Sequence, residues 1–142
     1  MARILYLEPI GGIAGDMFLA SAIDAGVPLA ELEAPLRTLK LDGWRFETKR
    51  QKRHEIEGTH LDVVVDHAHD HDHTPLSHIQ GLIKASQLGA RAKDRALALF
   101  DAVGRAEAKI HGTTLEQVEF HEVGAVDSII DMCGAAVVLE LL

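Results

Sequence analysis

The chain has one cysteine, one tryptophan, one tyrosine and four prolines in 142 residues. The lone cysteine, Cys133, excludes an internal disulfide and a cysteine-based structural zinc site, and its place in an apolar run marks it as a small buried side chain. An aromatic content of 4% leaves alanine and leucine to fill most of the core. No apolar run reaches the roughly 20 residues that span a bilayer, and the start shows no charged-then-apolar leader, so a cytoplasmic location with no membrane partner is expected. Extended basic runs are missing as well. With a net charge of -8 and only KRQKR, Lys49 to Arg53, as a positive stretch, nucleic acid is not an expected partner.

What is present is an ordinary globular composition, 47% hydrophobic and 25% charged, at the size of a single domain. RILYLE, Arg3 to Glu8, reads as a first strand, and the turn-prone EPIGG leads into a helix from Gly15 to Ala25 that Gly26 and Pro28 stop. A second helix, Leu29 to Leu39, carries Pro35, which kinks or divides it. WRFETKR and HLDVVVD read as two strands with EIEG near their turn. Thr74 and Pro75 look like a cap followed by a first-turn proline for a helix to Ser86. A longer helix, Ala92 to Ile110, aligns Ala92, Ala96, Leu99, Phe100, Val103, Ala106 and Ile110 in one core stripe. VEFH is a short extended piece, and a last helix starts near Ala125. The order predicts an α+β (mixed α/β) domain, a small sheet of about four strands packed by four to five helices.

Three stretches carry chemistry. DHAHDHDHTPLSH, Asp66 to His78, holds five of the nine histidines, and residues 66–75 read as a histidine-rich loop. In extended backbone His67, His69, His71 and His73 share one side and Asp70 and Asp72 the other. Neutral imidazole is a good ligand for nickel, zinc and copper, and carboxylates complete or orient such a shell. The spacing fits no closed tetrahedral zinc motif. Reversible transition-metal binding and a solvated loop with no ligand both remain open.

GGIAGDM, Gly11 to Met17, lies between a strand and a helix start, where backbone N–H groups can cradle an anion. It has neither the G-x-G-x-x-G spacing nor a following Lys-Ser/Thr. Asp16 either caps the helix or points into a cleft as a cation ligand or proton acceptor. In FHEVGAVDSIIDM, Phe120 to Met132, Asp127 and Asp131 are four apart on an otherwise apolar helix, so two like charges share one face. Capping excuses Asp127 but not Asp131, whose burial would be costly without a cation or a basic partner. With His121 and Glu122 just upstream, a mixed histidine and carboxylate metal site competes with a structural ion pair. Lys109 and His111 read as a helix C-terminal cap without chemistry.

Together these blocks resemble the amino-terminal portion of the LarC family of nickel-insertion proteins. GGIAGDMFLASAIDAG is similar to the family's GxxGDM opening. The histidine-rich segment, AEAKIHG and FHEVGAVDSIIDMCGAA are similar to its later blocks, in the same order along the chain. The GxxGDM match falls on Gly12, Gly15, Asp16 and Met17, and the second on His121, Glu122, Gly124, Asp127 and Ser128. Ala14, Glu8 and His78 depart from the family's usual serine, aspartate and acidic residue.

The resemblance implies nickel insertion into pyridinium-3,5-bisthiocarboxylic acid mononucleotide, a CTP-dependent cyclometallation of the lyase class that makes a nickel-pincer cofactor. Asp16, Asp127 and Asp131 are the expected catalytic residues, and Gly12 and Gly15 the expected cofactor-binding positions. His67, His69, His71, His73, His121 and Glu122 are the expected nickel ligands. It further implies that 1–142 is a single amino-terminal domain of a longer protein, inactive alone. The carboxy-terminal domain, a partner of this one, would carry CTP with Mn2+ or Mg2+. The nucleotide substrate is the small-molecule partner, and a homo-oligomer is a further option. Two rival readings are a nickel storage or chaperone module without catalysis and a Mg2+-dependent hydrolase built on the three aspartates.

Overall fold

A computed structural model describes residues 4–66 and 73–142. Helix α1 spans Gly15–Asp24 and α2 spans Leu29–Leu36, with a 3-10 turn at Arg37–Leu39. Strands β1, Trp44–Arg53, and β2, Ile56–Val65, form a hairpin; β3, Thr74–Pro75, precedes α3, Leu76–Ala85, and α4, Ala90–His111. A short β4, Glu119–Phe120, then leads to α5, Val126–Leu141. The α+β class holds, with five α-helices and four strands among the described residues, but the strands form two separate antiparallel pairs, β1 with β2 and β3 with β4.

Helix α5 is the centre of the core. Ile129, Ile130, Cys133, Ala136, Val137 and Val138 are buried along it, and α1, α2 and α4 pack around it. Gly134 lets α1 approach: a Cβ there would stand 3.0 Å from the Leu19 methyl carbons. On its other side α1 packs on the hairpin. Asp24 ties the end of α1 to β2 by accepting from the Thr59 backbone N–H at 2.9 Å and hydroxyl at 2.8 Å, and it also takes Arg50 at 2.7 Å. Those bonds, led by the one from the Thr59 backbone, hold the Asp24 carboxyl below its ordinary value.

Several elements differ from the sequence reading. The segment from Ile4 to Glu8 is not in a strand, and Ile4 and Tyr6 are 91% and 79% exposed. An apolar run with strand-forming residues supplies only half a ladder, and no partner strand meets it among the described residues. The hairpin turn falls on His54 and Glu55, the second of which opens EIEG as expected, and both stand at positive φ (46° and 68°). That is the backbone a two-residue hairpin turn with matching twist requires, although neither residue is glycine. Pro35 lies inside α2 without stopping it, and the chain tightens to its 3-10 end only from Arg37.

Pro75 is the residue before α3, not its first helical residue, and buried Thr74 donates its hydroxyl to the Gly124 carbonyl at 3.0 Å instead of capping the helix. On α4 the buried line is Ala92, Ala96, Phe100 and Gly104, strictly four apart. Leu99 and Ile110 are exposed. Gly104 takes the place of a larger residue because Leu76 and Leu115 press on it, a Cβ there falling 2.9 and 3.0 Å from their side chains.

Candidate functional site

Two helix starts meet at the acids. Asp16 is the second residue of α1 and Asp127 the second of α5. Neither is the cap: Ala14 and Ala125 precede the helices without side-chain capping bonds. Each carboxylate instead accepts the N–H of the next residue, Met17 at 2.7 Å and Ser128 at 2.8 Å. Negative charge in a first turn is favoured by the helix dipole, which explains two exposed or half-exposed acids at these positions.

Asp131 stands one turn further into α5, against the start of α1. A Cβ on Gly15 would lie 2.5 Å from the Asp131 Cβ and 2.6 Å from its Oδ2, so this glycine is required for close approach. Gly11 and Gly12, with φ of 85° and 99°, supply the turn that aims the chain into the helix. Gly15, expected as a cofactor-binding position, makes this close packing contact with Asp131.

Burial is the first cause that lifts Asp131, and the charges of Asp16 and then Asp127 add to it; only the Asp16 backbone N–H works the other way. The carboxyl is raised from 3.8 to about 7. Its Oδ1 is buried without a hydrogen-bond partner. Such a group is half protonated near neutrality, as a proton acceptor or donor in catalysis should be.

Asp16 also lines a cleft of about 920 Å³ between α1 and the hairpin. Ile10, Met17 and Ile56 give it apolar walls, while Gln51, Arg53 and His60 supply polar groups from the hairpin. Its size and lining suit a small organic ligand with an anionic end. The start of α1 itself suits a phosphate poorly, because the Asp16 carboxyl and the partly charged Asp131 already stand there.

The histidines gather elsewhere. His67, His69 and His71 lie outside the described residues. His73 enters β3 and His121 leaves β4, and the register pairing Thr74 with Phe120 carries on to set these two residues opposite each other. Their ring centroids are 4.4 Å apart at 73°. His111, at the end of α4, is 6.3 Å from His121 and contacts Glu107 at 3.1 Å. Two imidazoles thus lie beside His121 and two carboxylates beside Asp131, and among the described residues no close-set group of three or more joins His121 and Glu122 to the acids. Glu122 contributes its carbonyl, which accepts from the Ser128 hydroxyl at 3.2 Å, while its side chain is exposed.

His111 escaped the sequence reading because its helix-end position satisfied a capping role; the available signal was its four-residue spacing from Glu107. Among the described residues, no group of three or more His, Cys, Asp or Glu side chains is already close-set enough to hold a metal ion. Cys133 is buried in the core, which pushes its thiol up to about 12 and keeps it out of thiolate chemistry. No helix among the described residues is long and apolar enough to cross a membrane.

A family model described as nickel insertion protein matches residues 5–142. A Myxococcus xanthus protein whose name assigns it to nickel insertion is 59% identical, covering 100% of this chain and 37% of its own length. Proteins of Akkermansia muciniphila and Geobacillus kaustophilus, each named pyridinium-3,5-bisthiocarboxylic acid mononucleotide nickel insertion protein, are 44% and 39% identical. Each match covers 99% of this chain and 36% of the relative. The chain thus spans little more than a third of the length of these relatives. No solved structure matches.

Proposed function

Since this chain belongs to the nickel insertion protein family, we propose that it supplies nickel binding and part of the reaction site for inserting Ni2+ into pyridinium-3,5-bisthiocarboxylic acid mononucleotide. The observation that carries this reading is the convergence of Asp16, Asp127 and Asp131 at the start of two helices, with Asp131 raised to about 7. Making a nickel–carbon bond on the pyridinium ring breaks a ring C–H bond. The two electrons of that bond pass to the new bond with nickel, the two thiocarboxylate sulfurs complete the pincer, and one proton must leave.

Asp131 suits that proton. A carboxylate of ordinary acidity holds a proton weakly at pH 7, whereas one titrating near 7 is both available and basic enough to accept it. Burial first, and then the charges of Asp16 and Asp127, keep Asp131 basic, and Asp16 faces the cleft in which the nucleotide would lie, with Arg53 and Gln51 offering donors to its anionic groups. The soft sulfur ligands come from the substrate, so a chain with one buried cysteine is sufficient. His67, His69, His71 and His73 would gather nickel upstream of this step, with His121 and Glu122 as the further ligands expected from sequence. The CTP step and its Mn2+ or Mg2+ belong to the remainder of the longer protein in this reading, and this chain alone is inactive.

The test is insertion of nickel by a full-length family protein carrying Asp131→Asn. Pincer formation should fall by at least about 100-fold, the scale of a lost general base, with nickel binding unchanged. Retained insertion would remove Asp131 from the reaction and favour a storage or chaperone module.

A further inference from the structure

We propose that His73, His111 and His121, with Glu107 behind His111, form a docking site for one divalent transition-metal ion at the rim where β3, β4 and the end of α4 meet. The nickel reading above supplies only the identity of the ion; the site itself rests on geometry. Three rings from three separate elements are brought to one place. His73 and His121 are set opposite each other by the β3–β4 register, and His111 is delivered by the last turn of a 22-residue helix.

The spacing suits a shared ion. A metal held by imidazole nitrogen at about 2.1 Å lies about 3.2 Å from the ring centroid, so two rings at ordinary ligand angles have centroids about 4.6–5.3 Å apart. The His73–His121 pair, at 4.4 Å, is about 0.2 Å closer than that range and opens into it by a small side-chain rotation. The His111–His121 pair, at 6.3 Å and 38°, closes by about 1 Å of side-chain rotation. All three rings are exposed, so that rotation meets no packed core. Among the described residues no group of three ligands is preset, so ligation of one ion would draw the three rings together.

The surroundings favour a cation and not an anion. Glu107 and Glu119 line the 210 Å³ cavity beside His111 and His121, and no lysine or arginine lines it. Glu107 Oε2, 3.1 Å from His111 Nε2, also assigns the ring's roles. With the Nε2 proton directed at Glu107, the Nδ1 lone pair is left for the metal, which is how a carboxylate outside the shell orients a ligating histidine. His73 is the last residue of the every-other histidine run, so an ion released from that run meets the folded body at this rim. Imidazole ligands on exposed, rotatable side chains exchange easily, as a transfer site requires.

Calorimetric titration of the 142-residue chain with Ni2+ tests the site. In a His67→Ala/His69→Ala/His71→Ala background one Ni2+ should still bind. Adding His111→Ala and His121→Ala should weaken it at least tenfold, and adding Glu107→Gln alone about tenfold. Sub-stoichiometric Ni2+ should broaden the ring proton resonances of His111 and His121 first. Unchanged thermal melting of the variants, expected for exposed rings, keeps the comparison clean. An unchanged Kd on removing His111 and His121, or broadening that spares their rings, overturns the site. Failure here leaves the insertion assay with Asp131→Asn untouched; intact rim binding beside retained insertion in that variant would instead overturn the insertion reading and leave the site.

Discussion

The acid cluster and the imidazole cluster are both polar groupings at the ends of helices, yet they are built on opposite terms. Asp131 is wedged between α5 and the start of α1, so near to Gly15 that a methyl group would not fit. His73, His111 and His121 stand exposed at a rim, with a buried Phe120 beneath them that is 1% exposed. Burial makes the acid's proton affinity unusual and fixes its position; exposure leaves the imidazoles free to turn and exchange ligands. A reaction that captures an ion and then moves a proton needs one region of each kind.

The sharpest way to break the contrast is to remove the rim's foundation. Phe120→Ala should cost about 3–4 kcal/mol in urea unfolding, as emptying a buried phenylalanine site does. Its ring packs 6.3 Å from Phe100, and a Cβ at Gly124 would reach its side chain, so the cavity has little to collapse on. A loss under about 1 kcal/mol would mean that the rim is independent of the core.

Gly15→Ala comes next and probes the wedge directly. The new methyl meets the Asp131 Cβ, Cγ and Oδ2, and overpacking of this kind should cost about 2 kcal/mol. In an Asp131→Ala background two of those three atoms are gone, and the cost should be visibly smaller; strictly additive costs would deny the contact.

The smallest of the three effects depends on pH. In the folded chain Asp131 keeps its proton up to about pH 7, whereas the unfolded carboxyl loses it near 3.8. Between those values the folded state binds more protons, so stability falls as pH rises through that window and levels off above it. Asp131→Asn removes the penalty. Because the carboxyl is only partly buried and solvent screens it, the expected gain is about 1–2 kcal/mol at pH 8 and close to zero at pH 4, read from urea unfolding at both. Equal effects at the two pH values would show that burial does not set the proton affinity of Asp131.

The two regions were unequally legible. Asp127 and Asp131 announced themselves as like charges four apart on an apolar helix, a conflict that local rules alone expose. Asp16 could be read as a cap, and it is not one: its carboxylate takes the next N–H and its neighbour Gly15 makes the contact. At the rim, His73 and His121 are forty-eight positions apart, a separation counted directly on the chain. No periodicity joins them; a two-residue β-bridge does. His111 looked finished as a helix end because a capping role explained it fully.

The sequence by itself determined the helices α1, α4 and α5, the hairpin, the family blocks and the misfit of Asp131, because helix and strand periodicity and charge conflict are properties of near neighbours. Only the tertiary structure decided that Arg3 to Glu8 is not a paired strand where described, that Gly15 serves Asp131, and that histidines and acids form two clusters. Those outcomes depend on which distant surfaces meet. A ladder needs a second strand, a raised carboxyl needs walls from another helix, and a shared ligand site needs three elements to arrive at one place.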